Sequence, residues 1–329
     1  MRKYAALIRP ALLLALAGCS AGGGNQVTGD GGVVGYEVTF GPITVHAGQE
    51  NTQCVVKRLG NSGSIHVGTI HNVLGNSSHH MIVYRVADTM EQTTPFDCQP
   101  FRDTLDPSKG SPLMITQKKD EVLTLPDGVA YTLDDNQMVR LEMHYINATT
   151  ADQTLMSSST LFPIDPARFQ YEGDFLFIGD PDITLPPGAV KSLGPIFYPL
   201  DAKYADAKFF AITGHEHQFG TNVTVSTAMN ANDPGNPVYN IANWKWSEPT
   251  TQFQTPPFTI PSGGGFKFTC DWNNTSANTV KFGESANDEM CFFWAYYYPS
   301  HGAEVCVHTD QFGGHDLCCP GSQYCSLLP

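Results

Sequence analysis

Charge is scarce in this 329-residue chain: Asp, Glu, Lys and Arg make up 15%, and only 18 Lys and Arg face 32 Asp and Glu, a formal net charge of −14. With so little charge and no heptad repeat, a coiled coil is excluded. The shortage of basic side chains argues against a nucleic-acid partner, because phosphate contacts need Lys and Arg. No apolar run is long enough to cross a bilayer as a helix, and no stretch keeps a helical hydrophobic period. No Walker loop, dinucleotide fingerprint or nucleophile elbow appears. What the chain does have is apolar and turn-forming: 41% hydrophobic, 11% aromatic, 31 Gly and 23 Pro. That composition buries real cores, excludes disorder and, at this length, predicts about two domains.

Arg2, Lys3 and Arg9 precede the apolar run Ala11 to Leu16, and the segment closes on Leu16-Ala17-Gly18-Cys19. This resembles the lipobox of bacterial lipoproteins, so residues 1–18 read as a signal peptide and Cys19 as a lipid-modified N-terminus. The chain is expected to be exported and anchored to a bacterial membrane through that lipid. The protein would sit on a periplasmic or cell-surface face, and Ser20 in place of an Asp after the lipid Cys leaves the outer membrane open as its address. Removing residues 1–18 takes three basic and no acidic side chains, so −14 becomes −17, a surface that repels nucleic acid and anionic headgroups. Residues 19–33 are Gly-rich and polar and read as a tether.

Export changes how the cysteines read. Eight remain beyond Cys19, namely Cys54, Cys98, Cys270, Cys291, Cys306, Cys318, Cys319 and Cys325. An even number in an oxidising compartment predicts four disulfides and argues against reactive thiols. Zn²⁺ bound by Cys306, His308, His315, Cys318, Cys319 and Cys325 is the weaker alternative.

Short runs rich in Val, Ile, Thr, Phe and Tyr recur between Gly, Pro, Asn and Asp clusters, among them Met81 to Val86, Met138 to Ile146, Phe209 to Thr213, Phe266 to Cys270 and Phe292 to Tyr298. They predict an all-β protein of two jelly-roll-like β-sandwich domains in tandem with a small Cys-rich C-terminal tail. Phe162-Pro163-Ile164-Asp165-Pro166 reads as the boundary, giving domains over 34–165 and 166–299 and a tail over 300–329.

The histidines carry the chemistry. In Thr213-Gly214-His215-Glu216-His217, strand periodicity puts His215 and His217 on one face and Glu216 on the other, a two-pronged metal grip. In Val139-Arg140-Leu141-Glu142-Met143-His144-Tyr145, His144 shares the Arg140 and Glu142 face, away from the core. Taken alone that is a wet surface position. Adjacent His79 and His80 face opposite ways on a regular strand, so they can serve one metal only at a strand start or a bulge, which Ser77 and Ser78 make credible. Met290 enters an aromatic strand beside Cys291. Most Met are core filler, but a disulfide at Cys291 would aim this thioether as a third ligand to the His215 and His217 pair. Two His and one Met form a soft set suited to copper and poor for Mg²⁺ or Ca²⁺.

Taken together, His79-His80-Met81, Glu142-Met143-His144-Tyr145, His215-Glu216-His217 and Asp288-Glu289-Met290-Cys291 resemble, in order and approximate spacing, the copper type II ascorbate-dependent monooxygenases. The resemblance spans about Tyr36 to Pro299. It implies two copper ions per chain, one on each domain, facing across a solvent-filled cleft. His79, His80 and His144 would bind the electron-storing copper. His215, His217 and Met290 would bind the copper at which O₂ is activated and a small-molecule substrate hydroxylated, with ascorbate or another one-electron donor as reductant. The same resemblance implies the disulfides Cys54–Cys98 and Cys270–Cys291. It offers no guide for the tail, where adjacent Cys318 and Cys319 are poor partners, leaving Cys306 with one of them and Cys325 with the other.

Two positions depart from the family. Thr213 stands where the peptide-amidating members carry an Arg for the substrate carboxylate, and Trp294 replaces a Tyr that contacts the peptide, so a glycine-extended peptide is not the expected substrate. Phe292, Trp294 and Tyr296 read equally as an aromatic substrate wall or as core. The competing function is a membrane-anchored copper-sequestering lipoprotein, which would use the same six ligands without an oxygenase reaction.

Overall fold

The computed structural model describes residues 25–29, 32–99, 110–310 and 315–320. The strand-like runs form strands, and the chain is all-β, two sandwiches in tandem. One sheet of the first sandwich orders Gln92–Asp97, Glu50–Arg58, Met138–Ile146, Ser78–Val86 and Gly110–Thr116, each antiparallel to its neighbours. The facing sheet is built on Val34–Val45, Gln153–Pro163 and Ile65–Val73. Parity sorts the side chains: Val139, Leu141, Met143 and Tyr145 join the core, which leaves Arg140, Glu142 and His144 on the opposite face of their strand.

In the second sandwich a six-stranded sheet carries Phe292–Tyr298 between Lys208–His215 and Asp174–Gly179. It faces a four-stranded sheet that includes Val190–Pro199, Gly265–Asn273 and Gly220–Ala228. Here the aromatic run divides by parity. Phe293, Ala295 and Tyr297 fill the core between the second sandwich's sheets. Phe292, Trp294 and Tyr296 point the other way and join Phe175, Phe177 and Phe210 in the cluster that holds the first sandwich's core. Phe177 stacks on Phe292 at 4.9 Å and on Trp294 at 6.1 Å, and the Ile115 N–H donates to the Tyr296 hydroxyl at 3.2 Å. The two sandwiches therefore meet through a dry aromatic seam, each buried ring contributing about 1.5–3 kcal/mol. Of the two readings open for Phe292, Trp294 and Tyr296, the structure gives core.

Asp165 caps a short 3₁₀ turn over Pro166–Arg168, at the predicted boundary. The strand Tyr171–Glu172 still pairs with Val129–Leu133 of the first sandwich, so the crossover falls after it. The Cys-rich C-terminal segment does not stand apart: Glu304–Thr309 runs parallel to Asp174–Gly179 and pairs with His315–Cys319, extending the second sandwich. Cys54 is bonded to Cys98, Cys270 to Cys291 and Cys306 to Cys318. Cys319 is also disulfide-bonded. Cys19 and Cys325 lie outside the described residues. A Cys306–Cys318 disulfide removes those two sulfurs from the zinc alternative.

Candidate metal centre

The three histidines expected to form the first ligand set are brought together by a bulge. On the ladder between Ser78–Val86 and Met138–Ile146, His144 pairs with His80 and Tyr145 pairs with Ser78, so His79 is skipped. Ser77, with φ of 64°, turns the chain into this irregular start. The extra residue breaks the two-residue alternation, and both rings come round to His144. Ring centroids lie 5.3 Å apart for His79 and His80, 5.2 Å for His79 and His144, and 5.0 Å for His80 and His144. The face that carries His144, expected to be wet, is covered: Arg140, Glu142 and His144 are all buried. Polar groups on that face also pair with one another, the Tyr84 hydroxyl of the neighbouring strand donating to Glu142 at 2.9 Å and the Arg140 guanidinium lying 4.3 Å over the Tyr84 ring.

The second set forms where Lys208–His215 ends. Gly214 packs so tightly that a Cβ there would come within 2.6 Å of Val223, which pins the strand end to the second core. His215 and His217 follow with centroids 5.1 Å apart and rings nearly perpendicular. Their partner segment is fastened by Glu289. Its carboxylate accepts the backbone N–H groups of His217 at 2.9 Å, Phe219 at 2.7 Å and Met290 at 3.2 Å, and the Trp272 indole N–H at 2.9 Å. Burial pushes this carboxyl up to about 7. Met290 faces the shared apolar cluster while Cys291 faces the second core, so the two do point oppositely.

The two sets adjoin. His79 and His217 lie 6.0 Å apart by centroid, and His80 and His215 lie 6.3 Å apart, little more than the spacing within each set. The solvent-filled cleft expected between separate sites is closed: His79, His80, His144, His215 and His217 are 6, 5, 4, 6 and 1% exposed. The physical reason is the aromatic seam beside them, to which Trp294 belongs with its ring 6.0 Å from His215. Trp246, from the second sandwich, sets its ring edge against His79 at 5.6 Å.

Hydrogen bonds settle which ring nitrogens are free. His144 Nε2 meets Glu50 Oε1 at 3.0 Å, so its Nδ1 turns to the cluster, 3.3 Å from His80 Nε2. His215 Nδ1 meets Gln117 Oε1 at 3.1 Å and His217 Nδ1 meets the Asp288 carbonyl at 3.3 Å, which leaves the Nε2 of each as a lone pair. His79 Nε2 and His80 Nδ1 are buried with no hydrogen-bond partner among the described residues. Burial first, and then the neighbouring imidazoles, hold His79 down to about 3 and His217 down to about 4, with His80 and His215 well below the usual histidine range. The hydrogen bond from His144, more than any other cause, holds the Glu50 carboxyl at about 2. Neutral imidazoles crowded in a dry site, with orphaned nitrogens, are what a soft or borderline transition metal needs.

Glu50, Gln117, Glu289 and Trp246 carry no role in the sequence reading. The histidines left unassigned lie elsewhere: His46 pairs with Asp152, His71 with Asp120 and His301 with Asp206, and His66 stacks on Phe169. His308 of the tail pairs with Asp316.

Solved structures resemble the chain only loosely. The major capsid protein P2 from Bacteriophage PM2 is 9% identical at a TM-score of 0.36, covering 82% of this chain and 99% of that one. PNGase F, a glycosylasparaginase from Flavobacterium meningosepticum, is 11% identical at 0.33, covering 81% and 97%. At those scores neither bears on function. Within the chain, residues 199–312, which hold His215, His217, Glu289 and Met290, match the model of the copper type II ascorbate-dependent monooxygenase C-terminal domain, and this match supports that family for the protein.

Proposed function

We propose that the protein is an exported copper monooxygenase that hydroxylates a C–H bond of a small organic substrate, using O₂ and a one-electron reductant such as ascorbate. The observation that carries this reading is the convergence of five buried imidazoles from two sandwiches, in a chain whose residues 199–312 match the monooxygenase family. His79, His80 and His144 would hold one copper, and His215, His217 and Met290 the second. Bound copper supplies the one-electron redox steps and the open coordination positions for O₂. The chain's own residues do the rest. Glu50, Gln117 and the Asp288 carbonyl fix the N–H of three imidazoles, so each presents its other nitrogen inward. The aromatic seam keeps water from the centre, which favours the neutral rings.

The substrate in this reading carries no carboxylate anchor. Thr251 donates to Glu121 at 2.9 Å, so Thr213, 2.9 Å from Thr251, donates in turn, and the chain of hydroxyls ends on a carboxylate. Thr213 is itself buried and offers a hydroxyl where a carboxylate-binding cation would be needed.

Copper per chain after dialysis, on the chain beginning after Cys19, is the test, beside Met290→Ala and His144→Ala. Two equivalents in the parent and one in each variant, with O₂ uptake driven by ascorbate, are expected. Fewer than two equivalents would sink the dinuclear mechanism. The burial of all five histidines also suits copper sequestration, and two tightly held equivalents without O₂ uptake would select that reading. We also propose the lipid anchor at Cys19. Three disulfides between described residues agree with an oxidising compartment. A Cys19→Ala chain that still fractionates with membranes would refute the anchor, and recovery in the inner membrane would refute outer-membrane placement.

A further inference from the structure

Glu50 opens the strand Glu50–Arg58, two residues before Thr52, which lies directly across the ladder from His144. Period two therefore puts Glu50 on the His144 face, one diagonal step away. Its carboxylate takes three donors at once. Oε1 accepts from His144 Nε2 at 3.0 Å and from the Ala286 backbone N–H at 2.9 Å, and Oε2 accepts from the Ser285 hydroxyl at 3.1 Å. His144 belongs to the first sandwich. Ser285 and Ala286 belong to the second, in the segment that runs on through Asp288, whose carbonyl meets His217, to Glu289 and Met290. One side chain thus touches a histidine of one ligand set and the segment that supports the other.

We propose that Glu50 is a positioning residue that acts in two directions, setting the His144 ring with Nδ1 toward His80 and latching the 285–290 segment of the second sandwich across the seam. Formation of the two ligand sets is thereby coupled through one carboxylate. The geometry makes the coupling unavoidable, because His144 and Ala286 share the same oxygen, so moving either donor disturbs the other. A carboxylate has only acceptors, which is why it can serve three donors. An amide of the same shape can keep its oxygen for His144 and Ala286 and turn its N–H₂ to the Ser285 hydroxyl, which accepts as well as donates, so the latch is opened by removing the side chain rather than by neutralising it. The assignment of His144 as a ligand rests on the copper reading; the latch itself does not.

The test separates the two. In the full mature chain without metal, ¹⁵N NMR of the imidazoles reads the His144 tautomer, and amide hydrogen exchange reads Ala286. The wild type is expected to show His144 protonated at Nε2 and a protected Ala286 amide. Glu50→Ala should mix the His144 tautomers and speed Ala286 exchange about 10-fold or more, the scale of one lost hydrogen bond to a charged group. Ser285→Ala, a milder change that leaves the carboxylate in place, should speed Ala286 exchange while keeping the His144 tautomer. A folded Glu50→Ala chain with wild-type tautomer and wild-type exchange would overturn the proposal. Copper titration followed by electron paramagnetic resonance then adds the coupling: Glu50→Ala is expected to alter the spectrum of both ligand sets, and alteration of the His144 set alone would refute coupling. If the wild type takes up no copper while the metal-free results hold, the latch stands and the copper reading fails.

Discussion

Replacing Glu289 by Gln should cost the protein both stability and its second ligand set. The carboxylate serves four donors that have no other way out of the core: the N–H groups of His217, Phe219 and Met290, and the Trp272 indole. Oε2 alone takes three of them. Gln keeps one carbonyl oxygen and turns an amide N–H₂ toward the remaining donors, so at least one buried N–H loses its acceptor and meets another donor. An orphaned buried donor costs about 1–3 kcal/mol in the Gln variant, and the cost is larger for Ala, which leaves all four unpaired. Scaled to a chain of this size, about 3 kcal/mol lowers Tm by about 5 °C. Differential scanning calorimetry of the metal-free protein reads the stability. Cu(I) competition against a chelator reads the ligand set, and His217 and Met290 should lose affinity together because one side chain fixes both backbones. A Gln variant within a degree of wild-type Tm, binding Cu(I) with unchanged strength, would refute the reasoning.

Three further outcomes follow from the same structure. Burial pushes the Asp174 carboxyl up to about 6 although Ser300 and the Phe175 N–H donate to it. The native state thus keeps a proton that the unfolded chain has already lost, so stability falls as pH rises from about 4 to 6, by about 3 kcal/mol. Denaturant midpoints should show that fall in the wild type and lose it in Asp174→Asn. Breaking Cys270–Cys291, which closes a loop of 21 residues, by the double Ala variant should cost about 3 kcal/mol and should weaken Cu(I) binding, both read against an intact Cys54–Cys98 control. Phe177→Ala removes a ring stacked on Phe292 and Trp294 and should cost about 3–5 kcal/mol in urea unfolding; less than 1 kcal/mol would mean the seam is not packed as described.

The strands and the gathering of the histidines were legible because both lean on parity. His215 and His217 fall on one side as the two-residue period of a strand suggests, although the strand ends at His215 and His217 lies just past it. Met290 and Cys291 point oppositely just before the strand Phe292–Tyr298 begins. The requirement that His79 and His80 share a side forced a bulge or a strand start at that point, and the ladder skips His79. What parity could not deliver was the cover over each face. Arg140, Glu142 and His144 alternate with apolar residues like a wet face, yet the face is buried, with a Tyr84 ring beneath the Arg140 guanidinium. In the same way Trp294 and Tyr296 could line a cavity or a core on sequence alone, because alternation says that two faces exist and not what lies against them. Glu50 and Gln117 were invisible for a further reason. Each is an ordinary polar residue whose partner is remote in sequence, His144 in one case and His215 in the other. Only the register of the sheets and the docking of the sandwiches bring them together.

The strand Phe292–Tyr298 donates one face to each sandwich's core. That makes the halves inseparable as material. Cut at the domain boundary, the second half would carry Phe175, Phe177, Phe210, Phe292, Trp294 and Tyr296 into water as a contiguous sticky surface, an aggregation hazard. The first half would lose the lining that completes its interior. The chain is therefore expected to melt in one cooperative calorimetric transition, and a ligand bound on either sandwich should raise the melting temperature of both.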